Sequence, residues 1–85
     1  MSPLVDQILK ENNFSLTLGR RKVLDLFLKA EYALAHTDIE KELQERINRI
    51  TVYRTLRSFV EVGLIHLIPT TDNSIKYALT KHVQN

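Results

Sequence analysis

Cysteine is absent from these 85 residues. Disulfides, thiolate metal ligands and cysteine nucleophiles are therefore excluded. The most apolar stretch, Leu64–Ile68, is interrupted by His66 and falls far short of the ~20 residues a membrane span needs. Asp6 and Gln7 break the apolar pattern of the N-terminus, so it does not read as a signal peptide. A cytoplasmic chain with no membrane partner is the expectation. Catalytic signatures are missing too. No glycine-rich phosphate loop, nucleophile elbow or pair of carboxylates in an apolar setting is present, and no acid is positioned to orient His66 toward Ser58. The chain does not read as an enzyme.

With 44% hydrophobic and 26% charged residues, the composition is that of a folded chain, and its length suits one domain spanning 1–85. The net charge of +2 conceals an uneven distribution. Residues 20–47 are balanced, six basic against six acidic, whereas Arg49, Arg54, Arg57, Lys76 and Lys81 outweigh Glu61 and Asp72 in the rest. The basic excess sits in the C-terminal 38 residues, a weak sign of an anionic partner.

Glycine and proline occur twice each, at the edges of predicted elements. Ser2 suits an N-cap and Pro3 the first helical position. Leu4, Val5, Ile8 and Leu9 then recur at helical spacing to about Asn12. Thr17 caps a second helix with the stripe Val23, Leu24, Phe27 and Leu28, and Glu31–Ala35 reads as a connector. Thr37-Asp38-Ile39-Glu40 matches a capping box, starting a third helix whose buried edge is Ile39, Leu43 and Ile47. Asn48 caps a fourth helix running to about Val62, closed by Gly63. The period then changes from 3.6 to 2. Leu64–Ile68 and Ile75–Leu79 read as strands around a turn at Pro69–Ser74, with Ile75, Tyr77 and Leu79 on one face. The fold class is α+β, mostly α: a winged helix-turn-helix of four helices followed by a two-stranded β-hairpin wing.

The fourth helix has two faces. Val52, Leu56, Phe59 and Val60 point inward; Ile50, Arg54, Arg57 and Glu61 point outward, with Thr51 and Ser58 at the margin and Tyr53 on the border. An arginine fork matches guanine O6/N7 or a phosphate, and hydroxyls reach phosphates or base edges. Helix-turn-helix docking puts the N-terminal residues of the second helix on base edges, which suits Arg49, Thr51, Tyr53 and Arg54. Arg20, Arg21 and Lys22 open the second helix against its dipole, a mismatch that fits either a nearby phosphate or a solvated cluster. Lys76 offers a backbone contact from the wing, whose tip, Thr70–Ser74, is not basic. Candidate DNA-binding residues are thus Arg20, Arg49, Thr51, Tyr53, Arg54, Arg57, Ser58 and Lys76, and the partner is double-stranded DNA.

Ile50-Thr51-Val52-Tyr53-Arg54-Thr55-Leu56, followed by Val62-Gly63-Leu64-Ile65, resembles the recognition helix and first wing strand of the ferric-uptake-regulator (Fur) family. Leu16-Thr17-Leu18-Gly19-Arg20 resembles the start of that family's second helix, and Lys76-Tyr77-Ala78-Leu79 its second wing strand. The resemblance implies a metal-responsive transcription regulator, a repressor, with Tyr53 and Arg54 contacting DNA and Arg20 near the backbone. It also implies a homodimer assembled through a C-terminal α/β domain, expected beyond Asn85, and zinc or ferrous iron in the full-length protein. No cofactor is expected within these residues. The family's loop histidine aligns with Tyr32 and Ala33, its wing glutamate with Ala78, and its histidine-rich string with Lys81–Asn85. Its third helix starts at the position of Ala35, two residues before the capping box. His36, His66 and His82 form no pair at ligand spacing; His36 and His82 are the least poor metal candidates. Two alternatives stay open: a winged helix used for protein–protein contact, and a winged-helix regulator of another class not responsive to metal.

Overall fold

The helix ends show how local chemistry divides this chain. In the computed structural model, which describes residues 3–43 and 46–80, the chain folds as α1 (Pro3–Glu11), α2 (Leu18–Lys29), β1 (Leu34–Ala35), α3 (His36–Leu43), α4 (Arg49–Glu61), β2 (Ile65–Pro69) and β3 (Ile75–Leu79). The expected Ser2 cap lies outside the described residues.

α1 ends in a Schellman motif. Asn13 takes φ 63°, its N–H returning to the Lys10 carbonyl at 3.0 Å and that of Phe14 to Leu9 at 2.9 Å. α4 closes the same way on Gly63 at φ 79°, with Gly63 N–H to Val60 at 3.0 Å and Leu64 N–H to Phe59 at 2.9 Å. The N-caps follow the same local logic. Thr17 Oγ1 accepts from Arg20 N at 3.3 Å, and Asn48 Oδ1 from Thr51 N at 2.8 Å.

Three expectations are corrected. α3 begins at His36 rather than at a Thr37 cap, because Asp38 Oδ2, not Glu40, reaches back to accept the Ala35 N–H at 3.0 Å. Ile47 is buried, but from the turn after α3, where the Arg46 and Ile47 N–H groups both return to the Leu43 carbonyl. The first wing strand starts at Ile65 and runs to Pro69, since the Leu64 N–H is consumed in closing α4.

The supposed connector Glu31–Ala35 also contributes a strand. Leu34 and Ala35 pair antiparallel with Tyr77 and Lys76, making a three-stranded sheet in the order β1-β3-β2. The wing is therefore tied to α3 through β1, and its central strand is β3. Across β2 and β3, Leu67 opposes Tyr77 and Ile65 opposes Leu79.

Val5 and Leu9 of α1, Val23, Leu24 and Phe27 of α2, Ile39 and Leu43 of α3, Val52, Leu56 and Phe59 of α4, and Ile65 of β2 meet in one core. Phe59 is fully buried, and Phe14 tilts onto it with ring centroids 5.4 Å apart. Tyr77 and Leu79 pack against this core from β3, which sets that face of the sheet on the helices. Ile75, assigned to the same face, is half exposed near the hairpin tip. Asp6 of α1 and Arg21 of α2 make a two-pronged ion pair, Nε to Oδ1 at 2.9 Å and Nη2 to Oδ2 at 3.1 Å.

Candidate nucleic-acid interface

α4 lies across α2 with Val52, Leu56 and Phe59 buried, which turns the opposite face outward. Val60 is only partly buried, and Thr55, assigned to neither face from the sequence, is buried beside the core residues. Thr51 and Ser58 occupy the margin between the two faces, and Arg54 stands exposed between them.

A cleft joins this margin to the start of α2. Its walls are Thr17, Gly19 and Arg20 on one side and Thr51, Arg54, Thr55 and Ser58 on the other. Four candidates chosen from separate sequence positions thus converge: Arg20, Thr51, Arg54 and Ser58. Arg20 is oriented from two directions. Its Nη1 donates to Ser15 Oγ at 2.6 Å and to the Ser15 carbonyl at 3.3 Å, and its guanidinium lies 5.2 Å from the centroid of the Phe14 ring. Because Phe14 rests on buried Phe59, the position of Arg20 is referred to the core. Arg54 has no ion pair among the described residues, so its fork is open to a ligand.

The neighbouring arginine differs. Arg21 is committed to Asp6, which removes one of the three charges opposing the α2 dipole. Arg57 sits one helical turn from Glu61, its Nε 3.9 Å from Oε2, with both side chains mostly exposed. A pair that loose and wet contributes little.

Tyr53 is 54% exposed and borders a second cleft with Arg57, Val60, Glu61, Leu67 and Tyr77, where α4 meets the wing. Lys76 is not brought to these residues. It lies in the middle of the sheet between Ala35 and Ile68, on the face alternate to Tyr77. The wing tip is acidic: hydrogen bonds from Thr70 and Ser74 hold the Asp72 carboxyl far below the usual carboxylate range. That charge disfavours contact between the tip and a phosphate.

Two features escaped the sequence reading. Gly19 permits the close approach of α2 to Thr51, and its signal was a glycine one residue inside a helix. Glu40 of α3 contacts both His36 and Arg49, of which only the helical His36–Glu40 spacing was visible.

The metal candidates find no ligand set here. Among the described residues no group of three or more His, Cys, Asp or Glu side chains converges. His36 Nδ1 pairs with Glu40 at 2.8 Å, its Nε2 is buried without a hydrogen-bond partner, and its ring stands edge-on to Tyr53. His66 is exposed, and His82 lies outside the described residues. The described residues do not fit a metal centre of their own. No helix among them is long and apolar enough to cross a membrane.

Compared with known proteins, residues 11–85 match the model of the ferric uptake regulator family. The chain belongs to this family. The family's solved structures share its fold. The ferric uptake regulator of Vibrio cholerae superposes with a TM-score of 0.81 at 24% identity, over 93% of this chain and 63% of its own. That of Pseudomonas aeruginosa, solved with manganese, gives 0.80 at 26% identity over 89% and 60%. That of Francisella tularensis, solved with iron, gives 0.74 at 27% identity over 84% and 57%. The chain thus spans about three-fifths of these family members. Among curated proteins, none matches by sequence. The four helices and antiparallel sheet are the family's winged helix, with one strand more than the hairpin expected from sequence.

Proposed function

We propose that this chain is the DNA-reading part of a metal-responsive transcription regulator, a repressor, which sets α4 in the major groove of double-stranded DNA. The observation that carries this reading is the cleft where Arg20 of α2 meets Thr51, Arg54 and Ser58 of α4. Two guanidinium groups and two hydroxyls in one cleft suit the phosphate backbone and the base edges beside it. Membership of the ferric uptake regulator family supports regulation rather than catalysis. The three-fifths coverage is consistent with a homodimer formed through a further C-terminal domain, which would also supply most ligands for zinc or ferrous iron.

Fluorescence anisotropy of a labelled duplex, titrated at several salt concentrations, tests the reading. Affinity is expected to fall steeply with salt, because each phosphate neutralised releases counterions. Exposed Ile50, 62% accessible at the start of α4, favours the rival protein-contact reading. Duplex binding no stronger than that of a neutral control at 50 mM salt, even for a dimerised fusion, would reject the DNA reading in favour of that rival.

A further inference from the structure

Glu40 and Arg49 come from different helices, and the turn after α3 folds them together. Glu40 uses its two carboxylate oxygens in opposite directions. Oε1 lies 2.7 Å from Arg49 Nε, and Oε2 lies 2.8 Å from His36 Nδ1, one helical turn earlier. The His36 ring in turn meets Tyr53 edge-on, with centroids 5.6 Å apart. Glu40 and His36 are largely covered, whereas the Arg49 side chain is 81% exposed. A largely covered carboxylate therefore pairs with the inner end of an arginine whose outer end faces solvent.

The geometry has a chemical consequence. The 2.7 Å contact runs through Nε, and among the described residues Nη1 and Nη2 carry no hydrogen bond, which leaves the terminal fork open. Those two donors match guanine O6 and N7 across the major groove. A free arginine samples many rotamers and contacts any phosphate within reach. An arginine already held by its neck has lost part of that freedom before binding, so its fork is presented in few directions. Arg49 is also the first residue of α4, the end that helix-turn-helix docking puts on base edges. A cation there opposes the helix dipole, and Glu40 offsets that penalty.

We propose that Glu40, braced by His36, is a positioning residue that converts Arg49 into a base reader, giving this chain a guanine preference at one base step. The proposal rests on the duplex-DNA reading above.

Selection from a randomised duplex pool tests it, using the 85-residue chain, wild type and the variants Arg49→Ala, Arg49→Lys and Glu40→Gln. Affinity for the selected duplex is then compared with affinity for its guanine-to-adenine variant. The wild type is expected to prefer guanine at one position by about tenfold, within the range a bidentate pair provides. Arg49→Ala and Arg49→Lys abolish that preference alone, although lysine keeps the charge and hence the salt slope. Glu40→Gln is near-isosteric; it cuts the preference severalfold while raising affinity for unrelated duplex, because a negative charge beside the DNA is gone. A purely structural Glu40 would instead weaken binding at all positions together and lower the thermal midpoint. That result overturns the proposal, as does a guanine preference unmoved by Glu40→Gln or by Arg49→Ala, and in each case the DNA reading survives. A wild-type chain showing no salt-dependent duplex binding, even as a dimerised fusion, overturns both. Should Glu40→Gln fail to fold, Glu40→Asp takes its place, keeping the charge while withdrawing the carboxylate from Arg49, and a guanine preference unmoved by that variant or by Arg49→Ala overturns the proposal.

Discussion

A Cβ placed on Gly19 would stand 2.9 Å from Thr51 Cγ2, closer than a methyl group tolerates. α2 therefore crosses α4 through a bare backbone, and the next residue, Arg20, is delivered to the rim shared with Thr51, Arg54 and Ser58. Gly19→Ala brings two opposing effects of similar size. Alanine favours the helix by ~1 kcal/mol over glycine, and the clash costs ~1–3 kcal/mol unless Thr51 moves aside. Thermal stability is expected to change by only a few degrees, while duplex affinity falls severalfold because Arg20 is displaced from Arg54. Adding Thr51→Ser removes the offending methyl and keeps the hydroxyl, so the double variant should regain the lost affinity. Anisotropy on the single and double variants checks this, and failure of the serine to rescue would show that the contact does not set the position of Arg20.

Arg21 of α2 is committed to Asp6 whereas Arg54 of α4 has no ion pair among the described residues, and their variants should separate accordingly. Arg21 is bound to Asp6 by two contacts with both side chains about a third exposed. Its replacement by alanine is expected to cost ~1 kcal/mol, a drop of about 4–8 °C in thermal midpoint for a domain of this size, with little change in salt dependence. Arg54→Ala should do the reverse. With no ion pair to lose among the described residues, its stability stays near wild type. Its duplex affinity falls by ~1–3 kcal/mol, and if it meets a phosphate the salt slope shrinks by about one. Denaturation scans and salt titrations on the same two variants give the comparison.

Legibility in the sequence followed the range of the forces involved. Thr17, Asn48 and Gly63 were readable because each satisfies backbone groups within a few residues of itself. The outward face of α4 was readable because burial of Val52, Leu56 and Phe59 obeys the helical period. The strand Leu34–Ala35 was not, since two residues carry no periodicity and exist as a strand only by pairing with Tyr77 and Lys76, over forty positions away. The start of α3 lies two residues before the one that the Thr37–Glu40 pattern indicates, because Asp38 does for the Ala35 N–H what Glu40 would do for Thr37 in a capping box. Glu40 is instead turned toward Arg49, a contact made by the turn between α3 and α4 and by no local preference. Of the candidate site, the chemistry of the residues was visible, but the convergence of Arg20 with Arg54 depends on the crossing of α2 over α4.

Gly63 and Asn13 occupy the same place in two Schellman closures, at φ 79° and φ 63°. Nothing lies within 4 Å of a Cβ built on Gly63, so a substitution there meets strain from the backbone conformation alone. Gly63→Ala is expected to cost ~1–2 kcal/mol, the left-handed penalty of an ordinary L-residue. Gly63→Asn should cost clearly less, because asparagine already holds this conformation at position 13 and tolerates it through local hydrogen bonding. Urea denaturation of the two variants distinguishes backbone strain from packing. Equal losses would mean that the conformational explanation is wrong.

Tyr77 links the wing to α4 and gives the chain an alkaline signature. Burial against the helices, with Tyr53 beside it, pushes its phenol above the ordinary value of 10.0. A raised value means that the folded chain keeps a proton that the unfolded chain releases first. The contribution to stability is therefore fully present below pH 10.0 and is lost as pH rises through the folded value. Urea midpoints measured from pH 9 to 11.5 should fall more steeply for the wild type than for Tyr77→Phe, which has no proton to lose. Absorbance titration of phenolate should show one tyrosine ionising late in the wild type, and its disappearance in Tyr77→Phe assigns it. Parallel curves for the two chains would indicate that the phenol is as well solvated in the fold as in the unfolded state, and that the wing packs on α4 less closely than the Tyr53, Leu67 and Tyr77 cleft implies.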